Sequence, residues 1–282
     1  MLRRRFNKLL TVLLSACLLA VCMMPSDAYA RKKKTRVERK AESSQDFDTG
    51  RAPDALPPGL QPQPVLNQDM DVSHQHEHHV GLSTDLGIDV SHYQGNINWQ
   101  EVARSGEVRF VYIKATEGGS LVDNTYRTNL AGAKRAGLKV GVYHFFSPRV
   151  PVPDQVRNFT QNVNLRDMDL IPIIDVEHIK GVTKEQLCAR LKRFLEQVER
   201  HYGVRPILYS YARFYNNYLA QDFSHYKFMI ARYHTDIPEL VNDVPFVMWQ
   251  YTNVGRVPGI RGDVDRSRFM DNYGITDILL RK

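Results

Sequence analysis

Cysteine is nearly absent from this chain. There are three in 282 residues, and Cys17 and Cys22 fall within the first thirty, which leaves Cys188 alone in the remainder. A single thiol forms no intramolecular disulfide, so a disulfide-stapled scaffold is excluded and a hydrophobic core must hold the fold. Cys188 itself sits on the apolar face of a helical stretch, where packing accounts for it. Long apolar runs are missing beyond residue 24, and the run at residues 9–24 is shorter than the ~20 residues that span a bilayer. Strong charge of either sign is missing too. The formal charge is +7, of which +3 belongs to the first thirty residues (Arg3, Arg4, Arg5 and Lys8 against Asp27), leaving about +4 for the rest. That mild balance suits an acidic polymer as partner without singling one out.

What is present starts with a leader. "MLRRRFNK" is a basic n-region, the apolar run follows, and "SDAYA" ends in a small-x-small pattern that fits signal peptidase. Residues 1–30 therefore read as a secretory signal cut after Ala30. Two alternatives share the segment: a retained anchor, and lipidation at Cys17, because "LSAC" is similar to a bacterial lipoprotein box. The apolar residues that follow Cys17 argue against the second. Residues 31–83 carry charge, Pro, Gln and Ser without hydrophobic periodicity, which predicts a solvated, disordered spacer. Within it "HQHEHH", His74 to His79, raises a metal site, yet no ordered sequence surrounds it to orient the imidazoles.

From residue 84 the texture changes. Short apolar runs at 86–91, 108–116, 139–147, 170–177, 205–210, 227–233 and 246–252, with a weaker one at 263–269, predict eight strands. Helical stretches alternate with the early strands, among them residues 124–137, stopped by Gly137, and 184–203, stopped by Gly203. Near-continuous apolar strands that alternate with helices predict a mostly parallel sheet covered on both faces. Eight strands in about 200 residues predict one closed barrel, regular β/α at first and plain strand after residue 220.

Polar residues gather at the strand ends: Asp89, Glu117, His144, Asp175 with Glu177, Tyr209, Trp249 with Gln250, and Asp265. In a parallel barrel such ends open on one face. Asp175 and Glu177, in "LIPIIDVEHIK" (170–180), stand two apart, so they share a side of the strand with Cα atoms ~6–7 Å apart. Like charges that close raise one pKa, and a carboxyl kept protonated serves as a general acid. Paired acids with Tyr and Trp suit glycoside hydrolysis; a divalent-metal site is the alternative on the residues alone. Glu117 has a structural reading, as a strand-end acid paired with Lys114. His178 points away from Glu177 by the same alternation.

"GIDVSHYQG" (87–95), "FVYIKATEG" (110–118), "AKRAGLKVGVYHFF" (133–146), "PIIDVEH" (172–178), "ILYSYARF" (207–214) and "MWQYTNVGRVPGIRGDVDRSRF" (248–269) resemble, in order and spacing, glycoside hydrolase family 25, the Chalaropsis-type lysozymes. The resemblance covers about residues 84–275. It implies an irregular TIM-like (β/α)5β3 barrel over residues 84–282, and an N-acetylmuramidase acting on peptidoglycan glycan strands without metal or organic cofactor. By position it implies Glu177 as catalytic acid, Asp175 as its partner, Asp89 and Asp265 completing the acidic floor, and Tyr143, His144, Tyr209, Trp249 and Gln250 lining the groove. The chain departs from the pattern at Arg266, where a hydrophobic or small residue is usual, and at Asp263, an added acid. The expectation is an exported, secreted or periplasmic, monomeric enzyme with no nucleic-acid partner; its rival is a non-catalytic peptidoglycan-binding barrel.

Overall fold

The structure, a computed structural model, describes residues 86–281. The expected leader, spacer and His74–His79 cluster lie outside the described residues. Nine strands form one sheet: β1 (Leu86–Val90), β2 (Phe110–Glu117), β3 (Leu121–Val122), β4 (Lys139–Phe145), β5 (Ile173–Asp175), β6 (Ile207–Tyr211), β7 (Phe228–Ala231), β8 (Met248–Gly255) and β9 (Val264–Phe269). Helices α1 (Trp99–Arg104), α2 (Tyr126–Arg135), α3 (Val152–Asn162) and α4 (Lys184–Tyr202) follow β1, β2, β4 and β5, and a helical segment over residues 212–223, with a π turn at Tyr215–Leu219, follows β6. No α-helix separates β7, β8 and β9. Five β/α units and three further strands make the irregular barrel.

The ring runs β1, β2, β4, β5, β6, β7, β8, β9 and closes on β1, with β3 hung as an antiparallel flap on β2. Every ring pairing is parallel except the two made by β9. A parallel neighbour needs a crossover of a dozen residues or more. Residues 256–263 are too few for one, so β9 returns as a hairpin. This refines the expectation that all eight strand ends open on one face: Asp265 reaches the mouth from the start of its strand, as its second residue, and pairs there with Asp89.

Alternation divides the apolar residues between two cores. Phe110, Tyr112, Ile173, Ile207, Met229 and Phe269 fill the barrel interior. Ile88, Val111, Val140, Ile174 and Leu208 point outward into the layer that also holds Leu187, Leu191 and Phe194 of α4. The interior fits because small faces large: a Cβ on Gly87 would stand 2.2 Å from the Phe110 ring, and one on Gly141 would stand 2.4 Å from the Tyr112 ring. Tyr112 crosses the barrel and donates to the Ile171 carbonyl at 3.0 Å. Helix α4 starts on a Thr183–Gln186 capping box and ends at Gly203, whose φ of 68° is the left-handed stop expected of it. Cys188 is half-buried against this core with its thiol pushed up to about 11, first by burial and then by Asp222. Among the described residues no helix is long and apolar enough to cross a membrane.

Candidate active site

The carboxyl-terminal ends of the parallel strands form the mouth, and inward parity decides which side chains enter it. Asp89 occupies the fourth position of β1, where Gly87 and Asp89 face inward and Ile88 and Val90 outward. Asp265 pairs with it across β9. Asp175 ends β5 beside Tyr209 of β6, and Glu177 follows two residues on. Around the ring β9 lies opposite β5. The acids thus face one another across the mouth.

Tyr143 reports their convergence. Its phenol is raised well above the ordinary range, first by burial and then by the charges of Asp175, Asp89, Asp265 and Glu177. Four acids drawn from three distant parts of the chain act on one hydroxyl. Among the described residues no three His, Cys, Asp or Glu side chains group closely enough to hold a metal ion, so these acids ring the mouth rather than cluster in it.

Gln250 organises the side nearest Asp89. The hydroxyls of Tyr209 and Tyr233 both donate to its Oε1, at 2.8 and 2.9 Å. With the carbonyl end committed as acceptor, Nε2 is turned outward as donor, and it meets Asp89 Oδ2 at 3.1 Å. Ser267 Oγ donates to the same oxygen at 3.2 Å. Burial pushes the Asp89 carboxyl up to about 7 even though these two hydrogen bonds pull it down. Asp89 therefore holds its proton to much higher pH than an ordinary carboxyl. Tyr209, Tyr211 and Tyr233 form an edge-on ladder, with centroids 6.1 and 6.0 Å apart, along the wall between β6 and β7.

Two residues expected to line the groove do not reach it. His144 is fully buried on the outer side of β4: Nδ1 lies 2.7 Å from Thr116 Oγ1 and the ring stacks on Phe194 with centroids 5.1 Å apart. Burial, with Lys114 adding to it and Gln155 opposing, drives its pKa down to about 3, so it stays neutral. Trp249 is 1% exposed, donates Nε1–H to the Arg232 carbonyl at 2.9 Å and lies under the Arg268 guanidinium at 4.4 Å. Both corrections have one cause: His144 follows Tyr143, and Trp249 precedes Gln250, so alternation sends each to the other face from its inward neighbour. Parity also identifies what the sequence list omitted, since Tyr211 is two beyond Tyr209 and Ser267 two beyond Asp265. Tyr233 is likewise two beyond inward Ala231 and inside the strand expected at 227–233.

The remaining candidates serve structure. Buried Lys114 holds Glu117 with Nζ 2.6 Å from Oε2. Arg266 faces outward, bonding Glu107 Oε2 at 3.1 Å and the Arg256 carbonyl at 3.2 Å, so its departure from the family pattern leaves the mouth untouched. Asp263 pairs with Arg256 at 3.0 Å.

A (β/α)5β3 barrel with facing carboxylates and tyrosines at its mouth defines a class, the barrel glycoside hydrolases. The profile of "Glycosyl hydrolases family 25" matches residues 88–260, and the chain belongs to that family. It is similar to the "Uncharacterized protein YegX" of Escherichia coli K12, 38% identical over 188 residues that cover 65% of this chain and 68% of that one. It is also 33% identical to the "Autolytic lysozyme" of Clostridium acetobutylicum, over 66% of this chain and 56% of that one. The solved family 25 glycosyl hydrolase of Bacillus anthracis superimposes with a TM-score of 0.62 at 31% identity, covering 73% of this chain and all of that one. The chain is a glycoside hydrolase. The profile match stops short of Asp265, which the barrel itself delivers.

Proposed function

We propose that this protein is an exported lysozyme, an N-acetylmuramidase that cleaves the β-1,4 bond from N-acetylmuramic acid to N-acetylglucosamine in peptidoglycan. The observation that carries the reading is that Asp89 and Asp265, paired across β1 and β9, stand opposite Asp175 and Glu177 at the end of β5, on the same end of the barrel. Family membership and the likeness to a protein named autolytic lysozyme support the substrate class.

In this reading Glu177 protonates the glycosidic oxygen as the bond breaks and then draws a proton from the incoming water. Asp175, on the same side of the strand, stabilises the positive charge that develops at the anomeric carbon, either by orienting the substrate's 2-acetamido oxygen for attack or by acting on the centre itself. Asp89, holding its proton to higher pH than an ordinary carboxyl, donates to or accepts from a sugar hydroxyl without the cost of a second fixed charge. Tyr209, Tyr211 and Tyr233 supply ring faces and edges along which the glycan lies. Residues 1–30 act as the export signal and 31–83 as a spacer to the barrel; mass spectrometry of the mature amino terminus tests the cleavage after Ala30.

The central test is Glu177→Gln. Reducing-end release from purified sacculi is expected to fall by ~10²–10⁴ with the melting temperature unchanged. Undiminished release overturns the assignment.

A further inference from the structure

One wall of the mouth lies apart from these acids. As the chain leaves β1 it enters a 3-10 turn, His92–Gln94, closed by a capping box in which Ser91 Oγ accepts from the Tyr93 amide at 3.3 Å and Gln94 Oε1 accepts from the Ser91 amide at 2.9 Å. Tyr93 leaves 55% of its surface in solvent. Its ring nevertheless lies against the His92 imidazole, centroids 4.1 Å apart. His92 is fixed in turn, with Nδ1 2.6 Å and its backbone amide 3.1 Å from Asp123 Oδ2. Asp123 is buried, and Thr125 donates to its other oxygen through both N–H and O–H, at 3.0 and 2.7 Å. An exposed aromatic ring backed by a buried carboxylate is preorganised, so a ligand that stacks on it has little side-chain freedom left to freeze.

Beside this ring opens a cleft of about 790 Å³, within the ~300–1,000 Å³ usual for ligand sites. Its far wall is the β8–β9 loop, tied across by Asn98 N–H donating to the Gly259 carbonyl at 2.9 Å, while Gln94 Nε2 donates to the Asp263 carbonyl at 3.2 Å. Gln94 and Asn98 shape the lining, Asn98 being held by Glu101 through its amide at 3.2 Å, and the side chains of Asn96 and Arg261 line it beside them. The Asn96 amide and the Arg261 guanidinium match hydroxyl and acetamido groups, and a tyrosine face matches the apolar face of a pyranose. The position is also suited. Tyr93 lies four residues past Asp89, at most ~14 Å of chain, and the loop opposite leads into Asp265. Both walls belong to the same end of the barrel as the acids.

We propose that this cleft, with Tyr93 as stacking platform, is a distal subsite that binds a sugar ring of the glycan strand beyond those held over the carboxylates. The proposal rests on the glycan-hydrolase reading for the identity of its ligand. It is tested by titration calorimetry on Glu177→Gln protein, with a peptide-free muroglycan tetrasaccharide and an octasaccharide as probes. Adding Tyr93→Ala is expected to weaken the octasaccharide ~3–10-fold and leave the tetrasaccharide unchanged. Tyr93→Phe, which keeps the ring, is expected to bind like the parent. Equal weakening of both probes, no weakening of either, no binding of either probe, or a Phe variant that behaves like Ala overturns the subsite. Wild-type reducing-end release from sacculi is measured alongside: its absence, with the length-dependent loss retained, rejects the muramidase reading and keeps the subsite.

Discussion

Gln250 Nε2 and Asp89 Oδ2 stand 3.1 Å apart, which joins β8 to β1 over the strand that separates them in the ring. The amide cannot turn round, because two phenols already donate to its carbonyl end. Asp89 is thus given a fixed donor.

Replacing Gln250 by Leu keeps the volume and removes the relay. Loss of a hydrogen bond to a charged group is worth roughly 1.5–3 kcal/mol, so kcat is expected to fall ~10–100-fold. Because Gln250 lowers the Asp89 pKa, the variant's acid limb in the pH–rate profile moves to higher pH. A profile unchanged in shape counts against the relay.

Asp89 also has a stability signature. Its folded pKa, about 7, lies above the unfolded value near 3.8, so the folded state holds the proton more tightly between those values. Stability from this group is greatest below pH ~4 and is lost as pH rises through 7. Asp89→Asn is expected to remove that decline, which is of the order of a few kcal/mol. Urea midpoints at pH 4, 5.5 and 7.5, compared between wild type and variant, measure it; parallel curves contradict it.

His144 acts with the opposite sign. Its folded pKa, about 3, lies below the unfolded value near 6.5, so the unfolded state takes up the proton first as pH falls. Its contribution is intact above pH 6.5 and drains away toward pH 3. His144→Phe retains a ring against Phe194 and is expected to flatten the acid side of the stability curve, whatever its effect at pH 7. The same urea series reads the slope.

Asn158 anchors the flap. Its buried Nδ2 is shared by the carbonyls of Glu117, Gly118 and Leu121, at 3.3, 3.0 and 3.1 Å. Asn158→Ala leaves these acceptors without their donor and is expected to cost ~1–3 kcal/mol. Amide exchange should quicken first at residues 117–122; uniform quickening across the barrel would contradict a local anchor.

The eight ring strands were legible because each carries enough inward and outward apolar side chains to read as an unbroken run. β3 was not, since two residues make no period and Leu121–Val122 is placed by Asn158 from another element. β5 came out shorter than the run at 170–177 because Leu170 bridges to Leu279 and the Ile171 amide donates to the Ile278 carbonyl, so those residues close the floor instead. The acids of the site could be read from position alone. His144 and Trp249 were misplaced because being near a strand end says nothing of side, and parity does. The Gln250 relay was out of reach, since it depends on two phenols from separate strands meeting one carbonyl.

The reversed course of β9 decides how the barrel is carried. β1 enters at the floor and β9 leaves there, and the chain beyond it stays there, with the Leu280 amide on the Asp169 carbonyl and Lys227 Nζ on that of Asp277. Both leads out of the barrel therefore lie on the side away from the groove. A carrier, bead or fusion partner joined ahead of residue 86 or after residue 281 holds the enzyme by its base, with the mouth turned outward to an insoluble polymer.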